Sequence, residues 1–363
     1  MRTVLDAAVA DSAFPGAYAV VGDHTGVIAE YGAGHLDWDP SPRPDAHTMW
    51  DLASLSKVTG MTSAMMQLVD QGKVKLDDPV QVYLPDWTGP GKERVTVRNL
   101  LTHTSGLPAF RAYDKITTNA DSMAKLMFAE PLDTTPGARF VYSDIGAYIA
   151  GKLVERVSGE RLDRYLAHHV FGPLGMHETM YNPPASLIPR IAPTEVDPLR
   201  GGKLRGKVHD ERAYYLGGIS AHAGIFSSGH DLARFAQMYL DGGALGKVRV
   251  FRPQTVIAFT TLQDSALSNR ALGWEKPNGT NSAGHLLSRS AFGHTGFTGT
   301  SIWMDPANDV YLILLTNRVD PTRANTKIGH VRIQFADAVM TVLLRGRGVP
   351  MPVPAVAGSH GHS

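Results

Sequence analysis

The alternation of hydrophobic and polar residues predicts strands near both ends of the chain. Residues 17–34 contain two β-rich runs on either side of the turn sequence GDHTG, which indicates a hairpin. Residues 300–318 contain a second pair of such runs, with the turn at Pro306, Ala307 and Asn308. We therefore expect one antiparallel sheet that is assembled from the two ends of the chain.

Helical spacing replaces the strand pattern in the middle of the chain. After Ser54, apolar residues recur at i, i+4, i+7 and i+8, and this helix is expected to end near Gln71 and Gly72. Residues 181–225 have little periodicity and are rich in Pro, Gly, Arg and His, so we expect a long ordered loop, a feature that is usually functional. The same reasoning predicts further helices within residues 95–108, 143–159, 228–243 and 327–345.

Strands at both ends with helices between them predict an α+β fold, in which helices flank the antiparallel sheet. A discontinuous sheet domain would comprise residues 1–60 and 285–350. A mainly helical domain, residues 61–284, would be inserted between these segments and pack beside the sheet. The tail at residues 351–363 has the composition of a disordered segment.

Composition narrows the classes of protein to consider. The chain has 363 residues, of which 43% are hydrophobic and 19% charged, as in an ordinary globular protein. A formal net charge of +1 gives no electrostatic basis for binding nucleic acid or an anionic membrane. No apolar stretch has the length of a membrane span. Asp6 and Asp11 interrupt the first apolar run, so the sequence as written indicates the cytoplasm, or the periplasm or cell exterior if a leader was removed.

Neither cysteine chemistry nor a catalytic metal is expected. The chain has no cysteine, which excludes disulfides and thiolate ligands. It has 15 histidines but no His-Glu-x-x-His motif, and His168 and His169 are adjacent rather than on one helix face. His360 and His362 lie in the tail. We predict no metal and no cofactor, and a small-molecule or peptide substrate; the oligomeric state is left open.

Ser54 and Lys57 are the first candidates for chemistry. Residues three apart lie on one face of a helix, so the lysine Nζ is within reach of the serine Oγ. A serine at a helix N-terminus faces the positive end of the helix dipole, and a lysine with a lowered pKa could activate it as a nucleophile. The alternative is a helix-capping serine beside a solvated lysine, and the spacing alone does not decide between them.

Two further tripeptides follow downstream, and with Ser54-x-x-Lys57 they stand in a recognisable order. They are Tyr142-Ser143-Asp144 and His294-Thr295-Gly296. The three motifs resemble the Ser-x-x-Lys, Tyr-Ser-Asn and Lys-Thr-Gly series of the serine β-lactamase and penicillin-binding-protein superfamily. The chain is most similar to the branch that contains class C β-lactamases, DD-peptidases and β-lactamase-like carboxylesterases. The resemblance extends over most of the chain and implies the β-lactamase/transpeptidase-like fold.

The resemblance also implies a mechanism. Ser54 would be the acylated nucleophile, activated by Lys57 and Tyr142, and the backbone N–H groups of Ser54 and Phe297 would form the oxyanion hole. The reaction would be acylation by an ester, amide or β-lactam, followed by hydrolysis or transfer. The motifs do not separate a DD-peptidase or β-lactamase from a carboxylesterase. A penicillin-binding or sensing protein that acylates without turnover is the alternative.

Asp144 departs from the pattern, because the third residue of this motif is usually asparagine. A carboxylate accepts hydrogen bonds but donates none. If Asp144 points into the site, it would favour the charged form of Lys57, and Tyr142 would be the better base. Otherwise Asp144 is a helix cap without a catalytic contact.

His294 is the second departure, because it replaces a lysine. With an ordinary pKa of about 6.5, it would be mostly neutral at pH 7, and any preference for anionic substrates should strengthen below pH 6.5. Thr295 would help to hold a substrate carboxylate or carbonyl. Three residues of the 206–226 segment could line the pocket, although hydrogen bonding within that segment is the alternative. The full set of expected substrate contacts is Asp144, His294, Thr295, Gly296, His209, Asp210 and His222.

Overall fold

Twelve strands and ten α-helices are present in residues 1–348, the part of the chain that the computed structural model describes. The predicted tail, 351–363, lies outside the described residues. The strands are β1 (Gly16–Asp23), β2 (Gly26–Gly34), β3 (Met49–Asp51), β4 (Met180–Tyr181), β5 (Val196–Asp197), β6 (Gly202–Lys203), β7 (Ile225–Ser228), β8 (Ala244–Leu245), β9 (Val248–Arg249), β10 (Phe292–Thr295), β11 (Ser301–Asp305) and β12 (Val310–Thr316). The helices are α1 (Arg2–Ala10), α2 (Ser63–Asp70), α3 (Val97–Leu101), α4 (Ala120–Ala129), α5 (Asp144–Ser158), α6 (Leu162–Leu166), α7 (Glu211–Tyr215), α8 (Gly229–Leu240), α9 (Pro253–Thr260) and α10 (Ile328–Gly346).

The largest sheet joins the two ends of the chain, as the hairpin patterns predicted. Its five antiparallel strands lie in the order β10-β11-β12-β1-β2. β1 pairs with β12, so that Ala19 lies opposite Leu314 in the middle of the sheet. Both predicted hairpins, β1-β2 and β11-β12, are confirmed.

Both faces of this sheet are covered, and alternate residues of β1 enter different cores. Ala17, Ala19 and Val21 pack in the core that also contains residues of α1 and α10. Tyr18 and Val20 enter the larger core on the other face, where α8 lies against β1 and β12. This two-sided burial explains why the strands appear as nearly continuous apolar runs rather than as strict alternation.

The larger core continues without interruption into the helical middle of the chain. It contains Ile313 of the sheet together with Ile149 of α5 and Met65 of α2. The proposed division into a sheet domain and an inserted helical domain therefore stays a prediction.

The helix predicted within residues 143–159 illustrates how local signals set its ends. The Ser143 side chain accepts the N–H of Gly146 at 2.9 Å and caps the helix, and Gly159 ends it with a φ of 75°. The predicted loop at 181–225 contains only short elements, the longest being a six-residue 3₁₀-helix, Ala185–Arg190, and the five-residue helix α7. Of the helices within residues 1–348, none is both long and apolar enough to cross a membrane.

Candidate active site

Ser54 is presented by a strained turn at the end of β3. The preceding residue, Ala53, has a φ of 46°, a left-handed conformation that costs a residue with a Cβ about 1–3 kcal/mol. The buried Asp51 carboxylate holds this turn, since it accepts the N–H of Ala53 at 2.8 Å and the N–H of His209 at 2.6 Å. The helix that follows begins with a π-helical segment, Lys57–Thr62, and such segments are frequent at functional sites.

Lys57 is buried against Ser54. Its side chain is 1% exposed, and Nζ donates to Ser54 Oγ at 2.9 Å and to the His222 carbonyl at 3.0 Å. Asp144 Oδ1 lies 2.7 Å from the same nitrogen. The Ser-x-x-Lys spacing therefore places the two side chains in contact, and Lys57 is not a solvated surface lysine.

Asp144 points into the site, and the helix cap is Ser143. The second Asp144 oxygen accepts from Arg212 at 2.7 Å, and Arg212 also donates to Asp210 at 2.8 Å. Asp210 in turn lies 2.9 Å from the His222 ring. The result is a buried series of alternating charges, which we call the Lys57–Asp210 network: Lys57, Asp144, Arg212 and Asp210.

This network fixes the protonation state of Lys57. Burial disfavours the charged amine, but the adjacent Asp144 carboxylate and Tyr142 outweigh burial and raise the pKa of Lys57 above its ordinary value. Burial likewise opposes the charge of Asp144, yet the cations around it hold the pKa of that carboxyl well below its ordinary value. Lys57 is therefore protonated at neutral pH and has no lone pair with which to accept the serine proton.

Asp144→Asn should change the ionisation of Lys57. Without the carboxylate, burial dominates and lowers the pKa of Lys57, so a Lys57 ionisation should enter the pH profile of kcat/KM at a lower pH than in the wild type. The profile is measured with a p-nitrophenyl ester. Asp86→Asn, which removes the same charge from an exposed residue outside the network and outside both cavities at Ser54, serves as the control. Superimposable profiles for wild type and Asp144→Asn would refute the assigned role of the carboxylate.

Tyr142 is the remaining candidate base. Its hydroxyl is buried and has no hydrogen-bond partner among residues 1–348. Its ring centre lies 5.0 Å from Lys57 Nζ and 5.2 Å from Arg270 Cζ. The ring also packs against that of His103, at 4.6 Å. Two cations therefore lie beside the Tyr142 ring.

His294 lies at the end of β10 and is neutral. Burial, together with the cations of Arg270 and Lys57, holds the pKa of His294 well below 6.5. Its Nδ1–H donates to the Thr295 carbonyl at 2.8 Å, which leaves Nε2 as an acceptor. The prediction that anion preference strengthens below pH 6.5 is therefore wrong, because the sequence does not reveal how deeply this ring is buried.

Phe297 and Ser54 have the backbone groups expected of an oxyanion hole. Within the described chain, neither N–H donates a hydrogen bond. The segment around Phe297 is held beside the Ser54 turn, since Thr300 Oγ1 donates to the Leu52 carbonyl at 3.0 Å. Gly296 permits this close approach, because a Cβ there would lie 2.3 Å from the same carbonyl oxygen.

Two cavities meet at Ser54, and Tyr142 and Phe297 also line both of them. The first, of about 500 Å³, lies towards the loop that precedes α7 and has both acidic and basic walls. His209, Asp210 and His222 line it as expected, but both rings are also hydrogen-bonded to protein groups, Glu195 at 2.9 Å and Ser220 at 2.7 Å respectively. Substrate contact by these three residues stays a prediction.

The second cavity, of about 440 Å³, is cationic and was not predicted from the sequence. Thr295 and Gly296 line it together with three arginines, Arg270, Arg318 and Arg332, and one acid, Glu275. No periodicity or motif indicates these arginines. Arg270 lies in an irregular segment, Arg318 follows β12, and Arg332 lies on α10.

Arg270 and Arg332, which line this cavity, each have buried donors without a partner in the described part of the chain. Within residues 1–348, Arg270 Nε and Nη1 and Arg332 Nε are buried without a hydrogen-bond partner. Arg332 Nη2 is occupied, because it donates to the carbonyls of Gly296 and Thr300 at 2.7 and 2.8 Å. Burial and the neighbouring Arg318 lower the pKa of Arg332 to about 9, so it is still charged at neutral pH. Buried guanidinium groups with free donors match an anionic ligand.

A serine that contacts a buried lysine, beside a tyrosine and two free N–H groups, defines a class of protein: a serine hydrolase that acts through an acyl-enzyme. The sequence profile of the family described as Beta-lactamase matches residues 1–336, and the chain belongs to that family. The fold and activity class expected from the three motifs are thus confirmed.

Individual relatives agree with this assignment. A protein of Salmonella agona, which carries the provisional name D-alanyl-D-alanine carboxypeptidase, is 35% identical over 315 residues, covering 78% of this chain and 72% of its own. A β-lactamase structure from Mycobacterium bovis is 26% identical, with a TM-score of 0.62 over 93% of this chain and 98% of its own. A variant of simvastatin synthase from Aspergillus terreus shares the fold at 21% identity, with a TM-score of 0.75 over 95% and 97%.

Proposed function

We propose that this hydrolase is a carboxypeptidase of the D-alanyl-D-alanine type, which removes the C-terminal residue of a peptide. The observation that carries the proposal is the cationic cavity beside Ser54. A peptide that ends in a free carboxylate would place that group against Arg270 and Arg332 while its last amide lies at Ser54 Oγ. The provisional name of the 35%-identical relatives is consistent with this substrate class.

Acylation would begin with the approach of Ser54 Oγ to the carbonyl carbon of the last amide. Tyr142, in its deprotonated form, would accept the serine proton, while Lys57 stays charged and stabilises the phenolate. The N–H groups of Ser54 and Phe297 would bind the oxyanion of the tetrahedral intermediate. Tyr142 would then give the proton to the leaving amine, and the departing amino acid would diffuse from the cationic cavity.

Deacylation would use the same groups in reverse. Tyr142, again deprotonated after it has protonated the amine, would take a proton from a water molecule that attacks the acyl carbonyl. The resulting intermediate collapses, and Tyr142 gives this proton to Ser54 Oγ as the ester bond breaks. Because the departed residue leaves the cationic cavity open, the water has a route to the ester that does not cross the acyl group.

Arg270→Gln should weaken activity on carboxylated substrates selectively. Loss of a charge-assisted hydrogen bond should lower kcat/KM for an N-acyl-D-Ala-D-Ala peptide by about 30-fold. The effect on an uncharged p-nitrophenyl ester should be no more than about threefold, because that ester has no carboxylate for the guanidinium to bind. Arg111→Gln, on the other side of Ser54, is the matched control. Equal losses on both substrates would show that Arg270 does not recognise the carboxylate.

A substrate panel tests the proposed function itself. We expect release of D-alanine from the peptide, slower hydrolysis of p-nitrophenyl esters, and little turnover of nitrocefin. Esterase activity without peptidase activity would replace the proposal by a carboxylesterase. Stoichiometric labelling by a fluorescent penicillin without turnover of any substrate would instead indicate a penicillin sensor.

A further inference from the structure

Two histidines and a glutamate meet on the surface, and none of them lines either cavity at Ser54. His47 precedes β3, Glu178 precedes β4, and His230 is the second residue of α8. One ligand atom from each of the three lies within 4.8 Å of the other two. Because these three residues are far apart in the sequence, no motif predicted that they would form a cluster.

The hydrogen bonds of His230 prepare it as a ligand. Its Nδ1 lies 3.2 Å from Asp231 Oδ1, and since a carboxylate only accepts, Nδ1 carries the proton and Nε2 has the free lone pair. Asp231 is 1% exposed, and its other oxygen accepts the Glu178 N–H at 2.7 Å and Thr179 Oγ1 at 2.8 Å. A carboxylate that orients a histidine in this way is a usual second partner of a metal ligand.

Glu178 is also held in place. One of its oxygens accepts from Arg190, which donates to the His47 carbonyl at 2.6 Å as well. The other Glu178 oxygen lies 3.1 Å from His47 Nδ1. The His47 and His230 rings face each other with centroids 5.3 Å apart. The cluster contains two carboxylates, those of Glu178 and Asp231, and one guanidinium, that of Arg190. Its net charge is therefore negative, which favours binding of a cation.

We propose that His47, Glu178 and His230 bind a divalent transition-metal ion of the Zn²⁺ class, with solvent as the fourth ligand. Two imidazole nitrogens and one carboxylate oxygen are a donor set that zinc accepts in tetrahedral geometry. Zn–N and Zn–O bonds of about 2.0–2.1 Å place the ligand atoms of a tetrahedral site about 3.4 Å apart. The ligand atoms now lie within 4.8 Å of one another, so the exposed His47 and His230 rings must turn inward to bind the ion.

Such an ion would join three segments that the nucleophile depends on. His47 precedes the strand that ends at the Ser54 turn, His230 belongs to the helix that packs on β1 and β12, and Glu178 precedes the strand that pairs with β7. Because the site contributes no group to either cavity at Ser54, metal binding should raise Tm and leave kcat unchanged.

The test is titration of the full chain with ZnCl2 by isothermal calorimetry. His360→Ala and His362→Ala are introduced into every variant so that tail histidines do not contribute. We expect one ion per chain, with a Kd in the micromolar range, and a rise in Tm of a few degrees at saturating zinc. His47→Ala or His230→Ala should weaken binding at least about 100-fold, and Asp231→Asn about 10-fold.

His168→Ala with His169→Ala is the matched control, because these two exposed histidines flank Glu160 in a similar way. The control should bind zinc as tightly as the parent, and all variants should keep the parent's circular dichroism spectrum. Zinc affinity that is unaffected by His47→Ala and His230→Ala would overturn the proposal. So would the absence of stoichiometric binding at about 1 mM zinc.

Discussion

Ser54→Ala is expected to lower kcat/KM by at least about 10⁴-fold on every substrate that the wild type hydrolyses. The reason is that the covalent intermediate requires an oxygen nucleophile at this position, between the Lys57 amine and the free N–H groups. The measurement is the initial rate of p-nitrophenyl ester and peptide hydrolysis at saturating and limiting substrate.

Ser220→Ala is the control for this result, because that hydroxyl lies in the same region but bonds to His222. It should retain activity within about tenfold of the wild type. If Ser54→Ala kept more than about one-hundredth of the wild-type activity, Ser54 would not be the nucleophile.

Tyr142→Phe should lower kcat by about 10³-fold, with a smaller change in KM, because the base acts in the transition state rather than in binding. The hydroxyl has no hydrogen-bond partner among the described residues, so its removal breaks no hydrogen bond of the fold. Tm should therefore stay within about 2 °C of the wild type. The kinetic constants and a thermal melt are measured on the same preparation.

Tyr148→Phe is the matched substitution, on the neighbouring helix α5 and outside both cavities at Ser54. It should leave kcat within about threefold of the wild type. A loss of less than tenfold in Tyr142→Phe would transfer the role of base to Lys57, in spite of the charge that Asp144 imposes on it.

Local patterns were sufficient for the two hairpins of the large sheet and for helix α5. The hairpins β1-β2 and β11-β12 have turn residues between apolar runs, and the helix after Ser143 has a cap and a terminating glycine. Helix α1 was not predicted. It has only nine residues, and a helix this short is stabilised by packing, here against α10, which forms only in the folded chain.

Among the candidate site residues, those that belong to short motifs could be predicted, and properties that depend on tertiary contacts could not. Ser54, Tyr142 and His294 could be predicted because short motifs fix them within a few residues. The direction of Asp144 could not, because it depends on Arg212, which approaches from α7. Nor could the charge state of His294, since it follows from burial and from Arg270 rather than from the residue type.

The substitution of aspartate for asparagine in the tyrosine motif has a compensating partner in this chain. A lone carboxylate beside Lys57 would be a buried charge with one cation, and Arg212 supplies the second while it also binds Asp210. The Lys57–Asp210 network therefore explains how a carboxylate is accommodated where an amide is usual. With this network, we propose that the lysine provides electrostatic stabilisation and that the tyrosine transfers the proton.

Trapping the acyl-enzyme is the most direct test of Ser54 as the nucleophile. The wild type is mixed with a p-nitrophenyl ester or with benzylpenicillin, quenched in acid, digested and analysed by mass spectrometry. We expect the mass of one acyl group on the peptide that contains Ser54, and no such mass in Ser54→Ala. Substrate turnover with an unmodified Ser54 peptide, or an acyl group on another residue, would contradict it.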